Sequence, residues 1–411
     1  MSHRIMLSRL VDMTPPRTAI VVGGGPAGLI AAARLAEGGV VTTLLEASAG
    51  LGGRAGSERR GGFDLNQGPH ALYVGGPAMR ELRAMGIDPP RWNPTSYRSL
   101  FLRGGKPRRL PGGSLALARW LTGLTRGRQD DLHTLSVTEW LARELRSESA
   151  RATAGALVRV TTFVADHDAL SADVAATQIR IGLMPGVRYL KGGWQSLVDS
   201  LALESKRHGA ILRTRAGVRT LHRSGGDWTV ALDGETLRAD VVVLAAGGPE
   251  SVAKLLGDQA PTAPGPAAEL SVLDLGLSDL PRRGRTFALG VDAPTYLSRH
   301  SAPKQQDGAL LSLASYARQP RADLEAVADS VQPGWRERVR LQRFLPRMVA
   351  VSAIPTPAGG GLAGRPAIDR GGGLYLAGDW LGPEGWLVDA AISSGAAAAA
   401  AALRGPATTG A

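Results

Sequence analysis

AIVVGGGPAGLIAAARLAEGG, residues 19–39, decides how this chain folds. The apolar run from Thr18 to Val22 ends in glycines and gives way to a helical pattern through Leu29, Leu35 and Ala36. A short apolar run without polar alternation predicts a strand buried on both faces of a parallel sheet. The helix stops at Gly38-Gly39, and Val40 to Leu45 forms the next strand, ending in Glu46. This is one βαβ unit with a right-handed crossover. Between its first strand and helix lies Gly23-x-Gly25-x-x-Gly28, the dinucleotide fingerprint in its required context. Gly23 permits a tight turn, Gly25 lets the backbone approach a pyrophosphate, and Gly28 packs helix on strand. Pro26 and Ala27 open the helix, whose N-terminus faces the phosphates. Glu46, at the end of the second strand, is placed to accept hydrogen bonds from ribose hydroxyls.

The chain around this unit has 411 residues, long enough for a large core and two or three structural units. No window approaches the ~18 uninterrupted apolar residues of a membrane span. Cysteine is absent, which excludes disulfides, thiolate metal sites, a cysteine nucleophile and a cysteinyl cofactor link. That fits a reducing compartment, and a cytoplasmic location is the expectation. The formal charge is +12, and only five of the 48 basic residues are lysine. No run of five basic residues occurs, so scattered surface arginine explains the charge better than a nucleic-acid site. Contact with a membrane surface stays open. Residues 1–16 read as a loose tail rather than a secretory signal, with Met13 the more natural start.

Beyond Pro77 the pattern changes. A hairpin is predicted over Leu100–Leu110, turning at Gly104-Gly105, and helices follow. Ser136-Val137-Thr138-Glu139 is a capping box that opens one of them. Trp194, Leu197, Val198 and Leu201 form the apolar stripe of a later helix. Short strands follow at 211–214, 218–221, 228–232 and 241–244, then a Pro/Ala-rich linker at 260–268. Runs at 270–277, 286–291 and 309–314 alternate partly, as in an antiparallel sheet with one face toward a cavity. A helix at 321–331 and a short strand at 348–352 precede the strand 374–377 and the closing helix. The order argues for an α/β fold with a discontinuous nucleotide-binding domain of residues 17–76, 187–268 and 345–405. Residues 77–186 form a mainly helical cap, and 269–344 a sheet-plus-helix substrate segment.

EASAGLGGRAGSE (46–58) and FDLNQGPHALY (63–73) carry the argument past a generic dinucleotide fold. With RYLKGGWQSLVDSL (188–201), LRADVVVLAAGG (237–248) and LYLAGDWLGPEGWLVDAAISSG (374–395), the chain resembles a known superfamily. This is the phytoene desaturase, protoporphyrinogen oxidase and flavin amine oxidase superfamily of FAD-dependent oxidoreductases. The pattern is closest to the phytoene desaturase-like branch. The resemblance covers Thr18 to about Leu403, and the first and last motifs are its specific ones.

The resemblance implies a non-covalent FAD in a Rossmann-type domain. Gly23, Gly25, Pro26, Ala27 and Gly28 would hold its pyrophosphate, and Glu46 with Ala47 its adenosine ribose. Gly53 and Arg54 would pass the phosphate and ribityl portion, Gly68, Pro69 and His70 the reactive side, and the Val218 backbone the adenine. Gly378 and Asp379 would meet the middle of the cofactor. Gly385, Trp386, Leu387 and Val388 would bring N–H groups to flavin N1 and the C2 oxygen. A helix N-terminus there stabilises the negative charge of reduced flavin. His70 orients substrate, contacts the ring, or is a structural turn histidine. Tyr73, Trp380 and Trp386 are candidates to line the substrate space, Trp386 foremost. His167, between two aspartates, reads as a polar helix end rather than a metal ligand.

The implied reaction is hydride transfer from a substrate C–H to flavin N5, a C–C or C–N desaturation of a largely apolar intermediate. Oxygen, a quinone or another carrier would reoxidise the flavin, since no second nicotinamide fingerprint occurs. Amine oxidation is a rival, for which Lys304 is the one lysine suited to stand near N5. Other rivals are a redox-neutral isomerase and a non-catalytic carrier of the GDP-dissociation-inhibitor type. The intact fingerprint, Glu46 and Gly378-Asp379 speak against the last.

Overall fold

The computed structural model describes residues 17–92, 99–109, 114–126, 131–184, 186–302 and 308–404. Thr18–Val22 is the central strand of a five-stranded parallel sheet. Val41–Leu45 and then Ile211–Arg213 flank it on one side, Val241–Leu244 and Leu374–Leu376 on the other. Side chains of a strand alternate between faces, so each face makes its own core. Ala19, Val21, Leu44 and Val243 pack under the helices Pro26–Glu37 and Gln195–Arg207. Ile20, Val22, Leu45 and Leu244 pack with Trp228 and Val230 of an antiparallel meander, residues 220–239. Burial on both faces is why these strands read as unbroken apolar runs.

The closing helix, Val388–Arg404, crosses the first helix at close range. A Cβ on Gly395 would collide with the Ala27 carbonyl, so the small residues are a packing requirement here.

The second sheet has seven strands, in the order Val339–Val351, Ala268–Leu277, Ala309–Ser315, Thr295–Arg299, Phe287–Gly290, Leu100–Arg103 and Lys106–Arg108. Leu273, Leu275, Leu297, Leu311 and Leu313 face the helix Arg321–Val331. Leu270, Val272, Tyr296 and Ala314 face inward, toward Phe163, Met348 and Leu387. The predicted hairpin forms, and its turn glycines Gly104 and Gly105 have φ of +55° and +68°, as a type I′ turn requires. It extends this sheet, since Leu100–Leu102 pair in parallel with Ala288–Gly290. The stretch 77–186 therefore holds the helix Pro77–Ala84, then this hairpin, and then the remaining helices. Val339–Val351 is much longer than the predicted 348–352 strand. It is an edge strand carrying Arg340, Arg343 and Arg347, and such charges deter edge pairing while hiding the apolar pattern.

The helices Ser114–Arg126, Val137–Glu144, Glu148–Thr162 and Ala172–Leu183 make a separate core around Trp120, Trp140, Val158 and Ile179. The capping box is formed: Ser136 Oγ accepts the Glu139 N–H at 3.2 Å, and Glu139 accepts the Ser136 N–H at 2.8 Å. No helix among the described residues is long and apolar enough to cross a membrane.

Candidate active site

A cleft of about 520 Å³ runs between the parallel sheet, the helical block and the inner face of the second sheet. Its first end is the glycine turn. Gly23 has φ of +109°, and a Cβ there would overlap the Ala245 carbonyl. A Cβ on Gly28 would overlap the Gly23 carbonyl. Gly25 differs: the nearest atom to a Cβ is the Gly52 oxygen at 3.8 Å, so this glycine borders open space. Two glycines thus close the turn on itself and the third keeps room for a ligand, which is the cradle a pyrophosphate needs. No side chain caps the helix that starts at Pro26, so its first N–H groups are free for an anion. Glu46 is fixed by the Gly24 and Ser48 N–H groups, each at 2.7 Å. Gly25, Pro26, Ala27, Glu46, Ala47 and Val218 line the cleft.

At the middle of the cleft, residues 325 positions apart meet. Arg54 donates to both oxygens of Asp379, at 2.9 and 2.7 Å, and the Ser352 N–H adds a bond of 2.9 Å. Burial works to raise the Asp379 pKa, and the Arg54 charge overrides it, so the carboxyl stays below its ordinary range. Burial likewise works against the charge of Arg54, and Asp379 prevails in raising its pKa. Asp379 is 3 % exposed and Arg54 40 %, so the guanidinium is the more open partner. Both line the cleft with Gly53 and Gly378. Arg365, which the sequence does not single out among its many arginines, is buried and donates to the Asp379 and Gly385 carbonyls at 3.2 and 3.0 Å. Burial pulls its pKa down to about 10. It ties the strand end to the loop beyond.

That loop divides its residues. Leu387, in the left-handed region at φ +55°, and Val388 line the cleft. Trp386 does not. It is 2 % exposed, packs among the helical block, and donates from Nε1 to the Thr162 carbonyl at 2.9 Å. Tyr73, also outside the cleft lining, donates to the neighbouring Thr161 carbonyl at 3.1 Å. Both expectations of a substrate-lining ring are corrected, because the ends of helices leave carbonyls that need donors. Tyr73 and Trp386 cap the helix Glu148–Thr162 and fix Phe163, which does line the cleft. Trp380 is fully buried against the sheet and donates to the Gly247 carbonyl at 3.0 Å.

Gly68 has φ of +88°, and a Cβ there would strike the Met348 sulfur, so the turn seats Pro69 and His70 against the cleft. The His70 ring lies 4.8 Å from Trp194, with Nδ1 2.9 Å from the Gly68 carbonyl. Burial lowers its pKa, so the imidazole is neutral near pH 7. Burial also pushes His167 down to about 4. No group of three or more potential metal ligands occurs among the described residues. Lys304 lies outside the described residues. Phe163, Trp194, Met348 and Lys254 also line the cleft without having been singled out as site residues. Their signal in sequence is no stronger than that of any buried aromatic or surface lysine.

A glycine cradle, a carboxylate fixed beside it and a second helix N-terminus lie on one cleft. Residues 26–276 match the family model of flavin containing amine oxidoreductases, and the chain belongs to that family. Phytoene desaturase of Neurospora crassa is 27 % identical over 295 residues, 57 % of this chain and 49 % of that protein. This chain therefore spans about half the length of that relative. Coproporphyrinogen III oxidase of Propionibacterium freudenreichii is 24 % identical over 357 residues, 69 % of this chain and 67 % of that protein. Among solved structures, cyclohexylamine oxidase of Brevibacterium oxydans superposes with a TM-score of 0.75 at 18 % identity, covering 95 % of this chain and 99 % of that one. The cofactor is FAD, as in that flavin-containing family.

Proposed function

We propose that this chain oxidises a small, largely apolar molecule by removing a hydride from a C–H bond, giving a C–C or C–N double bond. The observation that carries the reading is one continuous cleft shared by the glycine turn, the Arg54–Asp379 pair and Leu387–Val388. Bound FAD supplies the two-electron acceptor for the hydride. The chain's part is to hold substrate in register and exclude water. Phe163, Met348 and Leu387 give the apolar wall for that.

A C–C desaturation also releases a proton, and His70 is the group in the cleft suited to receive it. Its Nδ1 lies 2.9 Å from the Gly68 carbonyl, which holds the ring in place, and burial keeps the ring neutral and so able to accept a proton. Burial and the Arg54 charge favour the neutral ring, so His70 gives the proton up again, and it is consumed with the two electrons by the acceptor that reoxidises the protein.

Oxygen, a quinone or another carrier would reoxidise the protein, in a cytoplasmic setting or at a membrane surface. The test is anaerobic bleaching of the visible flavin spectrum by a panel of reduced apolar substrates. Purified protein that stays colourless when incubated with FAD would sink the reading.

A further inference from the structure

Arg365 is buried directly behind one wall of the cleft. Its Nη1 donates to the Asp379 carbonyl at 3.2 Å and its Nη2 to the Gly385 carbonyl at 3.0 Å. Asp379 lines the cleft, and so do Leu387 and Val388, which follow Gly385 closely in the loop. Two side-chain hydrogen bonds therefore set the guanidinium against the backbone of that wall.

Those two bonds alone do not call for a cation, since a carbonyl accepts equally from a neutral amide. The charge itself is unmatched. No carboxylate stands within ion-pair distance of Arg365 among the described residues, and its Nε is buried without a partner. The Asp379 carboxylate is turned away, to Arg54 and the Ser352 N–H. Asp173 accepts the Leu362 N–H at 2.9 Å, and the Leu362 carbonyl accepts the Arg365 N–H at 3.4 Å, so this acid acts from one turn away. Burial pulls the Arg365 pKa down, with Asp379 and Asp173 opposing, and at about 10 the side chain is still charged at neutral pH.

A charge held out of water is weakly screened, so its field reaches beyond its own hydrogen bonds. The helix Val388–Arg404 adds to it, because it starts at the cleft with the positive end of its dipole. With the phosphates of FAD on the glycine turn, its flavin ring takes the opposite end, beside Leu387 and Val388. Accepting a hydride adds one negative charge to that ring. A fixed positive charge behind the wall then favours the reduced form.

We propose that Arg365 raises the reduction potential of the bound flavin through its charge, beyond its role as a tie between strand end and loop. This rests on the proposed function only in placing the flavin ring at the Leu387–Val388 end, and not on which substrate is oxidised.

The experiment measures the midpoint potential of FAD-loaded protein anaerobically against reference dyes, with no substrate present. Arg365→Gln keeps a donor and removes the charge. It should move the balance of reduced to oxidised flavin about tenfold toward oxidised, or about 30 mV lower for a two-electron couple. Arg365→Lys keeps the charge and loses the fork, and should stay within about threefold of wild type. Asp173→Asn keeps an acceptor for the Leu362 N–H and removes an opposing charge, so it should raise the potential. A shift in Arg365→Lys as large as in Arg365→Gln would show a purely positional role and overturn the proposal. So would an Arg365→Gln potential at or above that of wild type. Where the Arg365 variants hold no FAD, Asp173→Asn decides, and an unchanged or lower potential overturns the proposal. Each of these outcomes leaves the proposed oxidation standing, whereas wild-type protein that takes up no FAD removes both.

Discussion

The two ends of the cleft are built by different means. At the glycine turn the backbone does the work, and what matters is the absence of Cβ atoms on Gly23 and Gly28. At the other end, side chains from across the chain hold the loop in place. Ser394 Oγ bonds the Gly378 N–H and carbonyl at 2.9 and 3.0 Å, Arg365 spans to Gly385, and Arg54 pairs with Asp379. Asp389, fully buried, accepts the Ala78 N–H at 2.9 Å and joins the closing helix to the helix Pro77–Ala84. A steric site is all-or-none, while a site made of hydrogen bonds loses strength in steps.

The largest effect should come from the steric end. Gly28→Ala places a methyl on the Gly23 carbonyl, and should cost roughly 3 kcal/mol and most of the bound FAD. Denaturant unfolding and the ratio of visible to ultraviolet absorbance check both; near-normal flavin content would break the contrast. Next is Asp379→Ala, which leaves Arg54 without its carboxylate. FAD affinity should fall more than tenfold, with Asp379→Asn intermediate, as read by flavin fluorescence on dilution.

Glu46→Ala removes a carboxylate from the turn without adding bulk. FAD retention should weaken by about tenfold while the fold persists. Unchanged retention would mean that Glu46 only staples the Gly24 and Ser48 N–H groups. Smaller still is Tyr73→Phe, which deletes one bond to the Thr161 carbonyl. It should cost about 1 kcal/mol of stability and leave FAD content intact.

The loop end should also carry a pH dependence. Burial first, and then Glu384, push Asp389 up to about 7, against the opposing Ala78 N–H and Arg80. The folded protein then binds this proton more tightly than the unfolded chain, so stability falls as pH rises from 3.8 to about 7. Relative to wild type, Asp389→Asn should gain melting temperature across that window. A constant difference would show that Asp389 does not titrate there.

Legibility in the sequence follows the same division. The βαβ unit and its glycines could be read because strand, turn and helix are contiguous and each glycine answers a local steric demand. Arg321–Val331 could be read because a helix on a leucine-rich sheet face shows its period. Val339–Val351 could not, because its arginines mask an edge strand. Tyr73 and Trp386 pointed to the right region with the wrong role. A buried aromatic looks the same in sequence whether it lines a cavity or caps a helix, and only its hydrogen-bond partner separates the two.

The sequence by itself determined the dinucleotide turn and pointed to two distant glycine motifs that the structure brings to one cleft. Those features rest on backbone sterics and short-range order, which the residues state directly. Tertiary structure alone decided that Arg54 faces Asp379, that Arg365 buries its charge to hold the loop, and that the Phe163 and Tyr316 rings meet. Those partners are far apart along the chain. Which donor reaches which acceptor depends on how the two sheets and the helical block close over the cleft, and no local pattern encodes that closure.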